Sequence, residues 1–521
     1  MLNETKDASP LEEIVVATAC YSRENAPRLG VLFNAIGAYS AAAKEKTERG
    51  FLRYFDRLKR EGVISASSHI VKSRTFGPHE VARACREFAQ RGVEGLVWIA
   101  SAFTNGNAFS TLACDPYLWR LPLLLVAEPE AEFPGQAEWT TNAWCGIVMN
   151  NFAAKHVGRA VEALAGGRAN ADFETGFLRF CRVVRAMAAM RGDYLLRIGD
   201  MPAGFHSAQA DELLLTRTFG TRVDRADVAA LLDVYKSGRA SGLLGEKRFT
   251  AADVRLTARR IAEMGPVLVD RKMVEAGARL YHALRVSIEA AGATSLAVKC
   301  WPELQSKNIF PYTPCLAMGL LLADRVVWSA SCESDLHTSV AQSLCTLLSG
   351  RPAACLDFVN VIDASSVIQL GHCGVGIPGC MMANDPGMPA GFVDAATRKR
   401  ILSGELRLNC GVCRSSPCIH SGFVTGPNLV GQLEPGPKTG VALVPEGDGF
   451  KMLIFAGENR PDTVKGMLYS AADVEVRACK RLHQAVMDEG FSHHLAVAFG
   501  DIRPELKTAV KFYGVRVVEV D

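Results

Sequence analysis

Long apolar runs are scarce in this chain of 521 residues. The most apolar stretch of its second half, "CLAMGLLLADRVV", is broken by Asp324 and Arg325, and "LPLLLVAEPE" is shorter still. Neither reaches the roughly 18 residues that a membrane-spanning helix needs, so no membrane partner is expected. The opening residues, "MLNETKDASPLEEI", lack the basic start and apolar stretch of a secretory signal, and a cytoplasmic location is the expectation. A block of one charge sign is missing too. The 58 basic and 55 acidic side chains are interspersed, for a net charge of +3. That leaves no basic footprint for nucleic acid.

What is present is ordinary globular material, 49% hydrophobic and 22% charged, enough to build a sizeable core. The length suggests about three domains. Sixteen cysteines is a high number. Cys20, Cys85, Cys114, Cys181, Cys345 and Cys355 stand singly in apolar contexts, and in a chain with no secretory signal they are expected to be buried thiols, not disulfides. One cluster differs. "LNCGVCRSSPCIH" sets out Cys410, Cys413, Cys418 and His420, a C-x2-C followed by C-x-H. Only one half of that spacing is regular for zinc, so a cysteine-rich loop is expected.

Along the first segment, apolar runs alternate with helical patterns. "EIVVATACY", "EGLVWIASAF" and "LPLLLVAE" read as strands. "RYFDRLKREG", ended by Gly62, and "HEVARACREFAQRGV" read as helices, with another at roughly 150–165. Strand–helix alternation of this kind predicts a doubly wound α/β domain with a parallel sheet. The expected first domain is 1–168. The second, 169–350, repeats the style, with strands "YLLRIG" and "SLAVKCW" and helices "RFCRVVRAMAAMRG" and "TSVAQSLCTLLSG". From 351 to 521 short apolar runs alternate with turns. "VALVPEGDGFKMLIFAG" is a β-hairpin pattern, and "DIRPELKTAVKFYGVRVVEV" closes the chain with a helix and a strand. The third domain should therefore be β-rich.

Metal-type side chains stand at the ends of apolar strands at four places: Glu303 in "LAVKCWPEL", Glu333 with Asp335 in "VVWSASCESDLH", His372 in "SVIQLGHCG", and the pair His493 and His494 leading into the apolar run of "FSHHLAVAFGD". Glu303 and Glu333 stand about one strand–helix–strand unit apart, the separation at which neighbouring parallel strands present the same end. A strand-end carboxylate or imidazole taken alone is usually just solvated. Two carboxylates and two imidazoles together form a mixed oxygen and nitrogen set that suits Mn²⁺ or another divalent first-row ion.

"VKCWPEL", "CLAMGLLLADRVVWSASCESDLHTSVAQSLCTLLSG", "QLGHCG", "GPKTGVALVPEGDGFKMLIFAGE" and "HHLAVAFGDIRPELKTAVKFYGVRVVEV" together resemble the L-fucose isomerase and L-arabinose isomerase superfamily, as do "VEGLVWIASAFTNGN", "TTNAWCGIVMNNFAAKHVGRA" and "MRGDYLLRIGDMPAGF". The resemblance implies two Rossmann-like domains and a β-rich C-terminal domain. It implies a Mn²⁺ site at Glu303, Glu333, His372 and His494 in the arabinose-isomerase manner, with Asp335 a ligand in the fucose-isomerase manner. Glu303 and Glu333 become the acid/base pair for proton transfer between C1 and C2 of a sugar through an enediol. His493, Trp301 and Asn105 (in "TNGN") are the candidate substrate contacts. A homo-oligomer, trimer or hexamer, with the site at a subunit interface, is implied as well.

The inventory suits aldose–ketose isomerisation on chemical grounds. That reaction needs a base, an acid and a Lewis acid, and two carboxylates beside a divalent ion supply all three. There are departures. Before the "CLAMG" helix, where fucose isomerases carry a second glutamate, this chain has Tyr312, Thr313, Pro314 and Cys315. The cysteine-rich segment has no counterpart in either named isomerase. An epimerase, lyase or hydrolase acting on a sugar-acid derivative, or a non-catalytic sugar-binding protein, therefore stay open as alternatives.

Overall fold

The computed structural model describes residues 26–75, 77–130, 140–168, 170–373, 375–382, 390–402, 418–420, 426–460 and 470–520. The expected strand "EIVVATACY" with Cys20, and Cys410 and Cys413 of the cysteine-rich segment, lie outside them. The chain packs as two compact units. One runs to Ala189 and takes back Pro504–Gly514; the other holds Met190–Arg503 and Val515–Asp521.

The first unit is built on a five-stranded parallel sheet. Its spatial order is His69–Thr75, Leu29–Asn34, Gly95–Ala100, Leu123–Ala127, Glu162–Ala165. The three central strands are buried along their whole length, as expected of a parallel sheet covered on both faces. Helix Ala41–Glu61 shows how the sequence writes its neighbours. Ser40 caps its start, and Phe51, Tyr54, Phe55 and Leu58 recur at helical spacing on the buried face. It ends at Gly62, whose φ of 75° is the left-handed stop that glycine adopts without a Cβ clash. The helix expected at 150–165 is shifted: the structure has helix Ala143–His156 and then strand Glu162–Ala165. Gly158, at φ 74°, lies between them and supplies a break that the apolar pattern did not signal.

The second unit contains a four-stranded parallel sheet in the order Ala330–Cys332, Ser295–Val298, Tyr194–Ile198, Arg222–Ala226. It also contains an 11-stranded mixed sheet, mostly from the C-terminal third. In that sheet Ser470–Glu475, Val367–His372, Ala354–Ile362, His494–Phe499, Gly436–Glu446 and Gly449–Asn459 pair in succession. The pairing of Glu458 and Asn459 with Glu475 and Val474 closes these six strands into a ring. The hairpin signalled by "VALVPEGDGFKMLIFAG" is Gly436–Glu446 with Gly449–Asn459. Both parallel sheets and the separate β-rich sheet agree with the α/β class read from the sequence.

Among the described residues no helix is long and apolar enough to cross a membrane. The 12 described free cysteines include the expected buried thiols Cys85, Cys181, Cys345 and Cys355. Cys114 is instead exposed. It follows helix Gly106–Ala113 as its C-terminal cap, and a cap faces outward once the helix has ended.

Candidate active site

The strands Ser295–Val298 and Ala330–Cys332 lie side by side in parallel, with Val298 opposite Cys332. The loops leaving their C-terminal ends therefore start together. The second loop turns at once. Glu333 and Ser334 both take left-handed backbone, φ 57° and 53°, which costs a non-glycine residue of order 1 kcal/mol or more. The turn is held by Ser334, whose N–H donates to Val298 O at 3.1 Å and whose hydroxyl donates to Gly199 O at 3.0 Å. Asp335 then caps helix Leu336–Ser349. The Glu333 side chain faces His493 and His494, where a strand of the closed ring begins.

Strands of that ring bring the imidazoles. His372 ends Val367–His372 and His494 begins His494–Phe499. Between them runs Ala354–Ile362, on which Asp357 is the direct cross-strand partner of His494 and of Gly371. Two three-residue donor sets result. In the first, one donor atom each of Glu333, His493 and His494 lie within 4.8 Å of one another; in the second, the same holds for Asp357, His372 and His494. His494 belongs to both. Its Nε2 is 3.6 Å from Glu333 Oε2 and 3.3 Å from Asp357 Oδ1. Its Nδ1 is 2.9 Å from Asp335 Oδ2.

The hydrogen-bond inventory separates the carboxylates. Both oxygens of Asp335 are used: Oδ1 accepts from Thr338 N at 3.0 Å, and Oδ2 accepts from Thr338 Oγ1 at 2.8 Å and from His494. Glu333 Oε1 accepts from Trp301 Nε1 at 3.2 Å. Glu333 Oε2 and Asp357 Oδ1 are buried and have no hydrogen-bond partner, although both face His494. Two orphaned carboxylate oxygens aimed at one imidazole nitrogen are an unstable arrangement unless a cation or proton joins them. Oxygen and imidazole donors within 4.8 Å of one another fit a divalent ion bound at about 2.0–2.3 Å.

The charges reinforce one another. Burial pushes the Glu333 carboxyl up, but contact with His493, the charge of His494 and the Trp301 N–H outweigh it and hold the group below the usual range. Burial likewise opposes ionisation of Asp335, yet the His494 hydrogen bond and charge bring it to about 2. His493 is raised by its contact with Glu333. His494 is raised by Asp335 and Asp357 against the effect of burial. His372 is raised to about 9, Cys373 and Asp357 outweighing burial.

Of the candidates read from the sequence, then, Glu333, His372, His493 and His494 meet in these two sets, and Asp335 stands behind His494. Glu303 is in neither set. It lies in the short 3₁₀ turn Glu303–Gln305, where Oε1 accepts from Lys299 Nζ at 2.7 Å and Oε2 is buried without a partner. Trp301 reaches Glu333 and packs edge-on against Phe205, ring centroids 5.0 Å apart; Phe205 also meets His493 at 5.9 Å. Ser207 Oγ is 3.3 Å from His493 Nδ1. Asn105 belongs to the other unit, where its side chain caps helix Gly106–Ala113 by accepting from Asn107 N and Ala108 N. Asp357 was missed by the sequence reading. The available signal was an acidic residue inside the apolar run "AACLDFVNV".

No family model matches the chain. Among curated proteins it is similar to the sulfoquinovose isomerase of Alkalicoccus urumqiensis, 22% identical over 82% of this chain and 86% of that protein. It is also similar to the sulfoquinovose isomerases of Clostridium sp. (strain MSTE9), at 26%, and Priestia aryabhattai, at 23%, over 63% of this chain. For these two, the chain spans 64% and 65% of the relative's length. The similarity supports a sugar-isomerising enzyme.

Proposed function

We propose that the protein is a Mn²⁺-dependent aldose–ketose isomerase that acts on sulfoquinovose or a closely related sugar. The observation that carries this reading is the pair of donor sets that share His494, one with Glu333 and His493 and one with Asp357 and His372, with two orphaned carboxylate oxygens facing His494 Nε2. Glu333, Asp357, His372 and His494 would hold the ion, and Asp335 would fix the orientation of His494. When bound, the ion supplies electrostatic stabilisation of the enediolate oxygens.

The remaining work falls to the chain. Glu333, held ionised, is the base that takes the proton from the sugar carbon beside the carbonyl, and Trp301 fixes its second oxygen. Glu303, with Oε1 tied to Lys299 and Oε2 free to take or give a proton, is the second carboxylate of the pair. His493, half-exposed beside Phe205 and Trp301, is the substrate contact. Following the superfamily resemblance, the working form is a homo-oligomer to which Asn105 contributes a substrate contact; light scattering that finds a monomer at micromolar concentration removes that part.

The test is to strip the protein of metal, reload it with Mn²⁺ and follow sulfoquinovose, pentoses and hexoses by NMR in D₂O. Interconversion of aldose and ketose, with deuterium entering at C2 of the aldose formed, is expected. Absence of turnover in the metal-loaded protein, or products other than isomers, overturns the reading.

A further inference from the structure

A second group of metal-type donors lies beside the first, and none of its thiols has a part in the proposed reaction. Cys315 Sγ, Cys373 Sγ and a ring nitrogen of His372 are within 4.8 Å of one another. Cys315 opens helix Cys315–Ala323, and the Thr313 hydroxyl is 2.8 Å from its sulfur. Cys373 directly follows strand Val367–His372, its sulfur 3.6 Å from His372 Nδ1. Cys332, the last residue of strand Ala330–Cys332, contacts Cys315, and Cys300 contacts Cys332 in turn. Four thiols thus form a connected chain that ends on an imidazole.

Buried cysteines ordinarily serve as separate small apolar residues. Here the loop after one parallel strand (Cys300), the end of its parallel neighbour (Cys332), a helix start (Cys315) and the residue after an antiparallel strand (Cys373) deliver their thiols to the same place. The donor set is sulfur and nitrogen, with no oxygen among the three. Such a set selects soft, d¹⁰ cations over Mn²⁺ or Mg²⁺. Cys300, Cys315 and Cys332 are buried, and Cys373 is the partly exposed member, so an ion can enter from that side.

We propose that Cys315, Cys373 and His372 form a binding site for a thiophilic cation of the Zn²⁺ or Cd²⁺ class, separate in donor chemistry from the carboxylate–imidazole site and sharing His372 with it. On binding, each of the two S–H groups loses its proton to solvent as a sulfur–metal bond forms. Cys332, in contact with Cys315, is the nearest further sulfur for a fourth position. The proposal does not depend on the isomerase reading, because its readout is the metal–sulfur bond.

The experiment is a titration of the full-length protein, reduced and metal-free, with Cd²⁺ alone, followed by the ultraviolet thiolate-to-cadmium charge-transfer band. A saturable band is expected. It should be lost in Cys315→Ser and in Cys373→Ser and kept in Cys345→Ser, a buried thiol outside the chain of four. Circular dichroism reports whether each variant folds. Cys373 is partly exposed, so Cys373→Ser decides the matter even where Cys315→Ser misfolds. A band that survives Cys373→Ser, a band that is lost in Cys413→Ser instead, or no band at all overturns the proposal.

Discussion

Replacing Asp335 by Asn asks whether this buried carboxylate holds His494 or is itself a ligand. The change keeps the shape and removes the charge. In the wild type the carboxylate accepts three hydrogen bonds, from Thr338 N, Thr338 Oγ1 and His494 Nδ1. An amide has a single oxygen. The helix cap keeps that oxygen on Thr338 N, since Asn caps a helix about as well as Asp, and the NH₂ then faces His494 Nδ1. The imidazole answers by carrying its proton on Nε2, the nitrogen 3.3 Å from Asp357 Oδ1 and 3.6 Å from Glu333 Oε2. A protonated Nε2 cannot bind an ion. Loss of a carboxylate behind a ligating histidine typically lowers metal affinity about 10–100-fold, or about 1.4–2.8 kcal/mol. Fold stability changes less, because the cap survives and the cost of burying one charge disappears. Calorimetric titration of the metal-free variant with Mn²⁺, paired with a thermal melt, measures both. An affinity within about twofold of wild type, well short of the 10–100-fold loss expected, refutes the orienting role. Complete loss of binding in this variant, with near-normal binding in Glu333→Gln and Asp357→Asn, makes Asp335 the ligand and refutes the assignment of the other two.

Four further outcomes are expected. Asp357→Asn should weaken Mn²⁺ binding at least as much as Asp335→Asn, because it removes one of the two orphaned oxygens; unchanged calorimetric affinity would take Asp357 out of the site. His372 is raised to about 9 in the metal-free protein, with His493 and His494 raised as well, so protons compete with the ion. Uptake of Mn²⁺ near neutral pH should release protons, and affinity should climb up to about pH 9; the proton count comes from calorimetry in buffers of different ionisation enthalpy, and zero release contradicts it. The same sign governs stability. A raised histidine stabilises the metal-free fold fully below its unfolded value of about 6.5, and for His372 that contribution fades as pH rises through about 9, which a series of urea titrations would register. Finally, Gly319→Ala should destabilise the helix Cys315–Ala323, since the new Cβ would meet Gly376 O at 2.0 Å; overpacking against backbone costs about 1–3 kcal/mol, and an unmoved denaturation midpoint would contradict the close approach.

The sequence by itself determined what depends on local pattern. Continuous apolar runs fixed the parallel strands Gly95–Ala100 and Leu123–Ala127, and the Gly-Asp-Gly turn fixed the long hairpin. Polar side chains at the ends of apolar strands exposed Glu333, His372 and His494 as candidates, because a strand's end is where a side chain leaves the sheet for a crevice. Tertiary structure decided the rest. Asp357 reaches the site only through the register that sets it opposite His494 on a neighbouring strand, and register between strands more than a hundred residues apart is not written in either one. Asp335 became a partner of His494 because its oxygens were claimed by the cap of its own helix and by an imidazole 159 positions away. Glu303 meets Lys299, four residues earlier, and joins neither donor set, since a loop's path after its strand is set by the packing around it. The closure of six strands into a ring, which brings Asp357, His372 and His494 to one place, rests on pairings between distant segments, whose free energy appears only when the whole sheet forms.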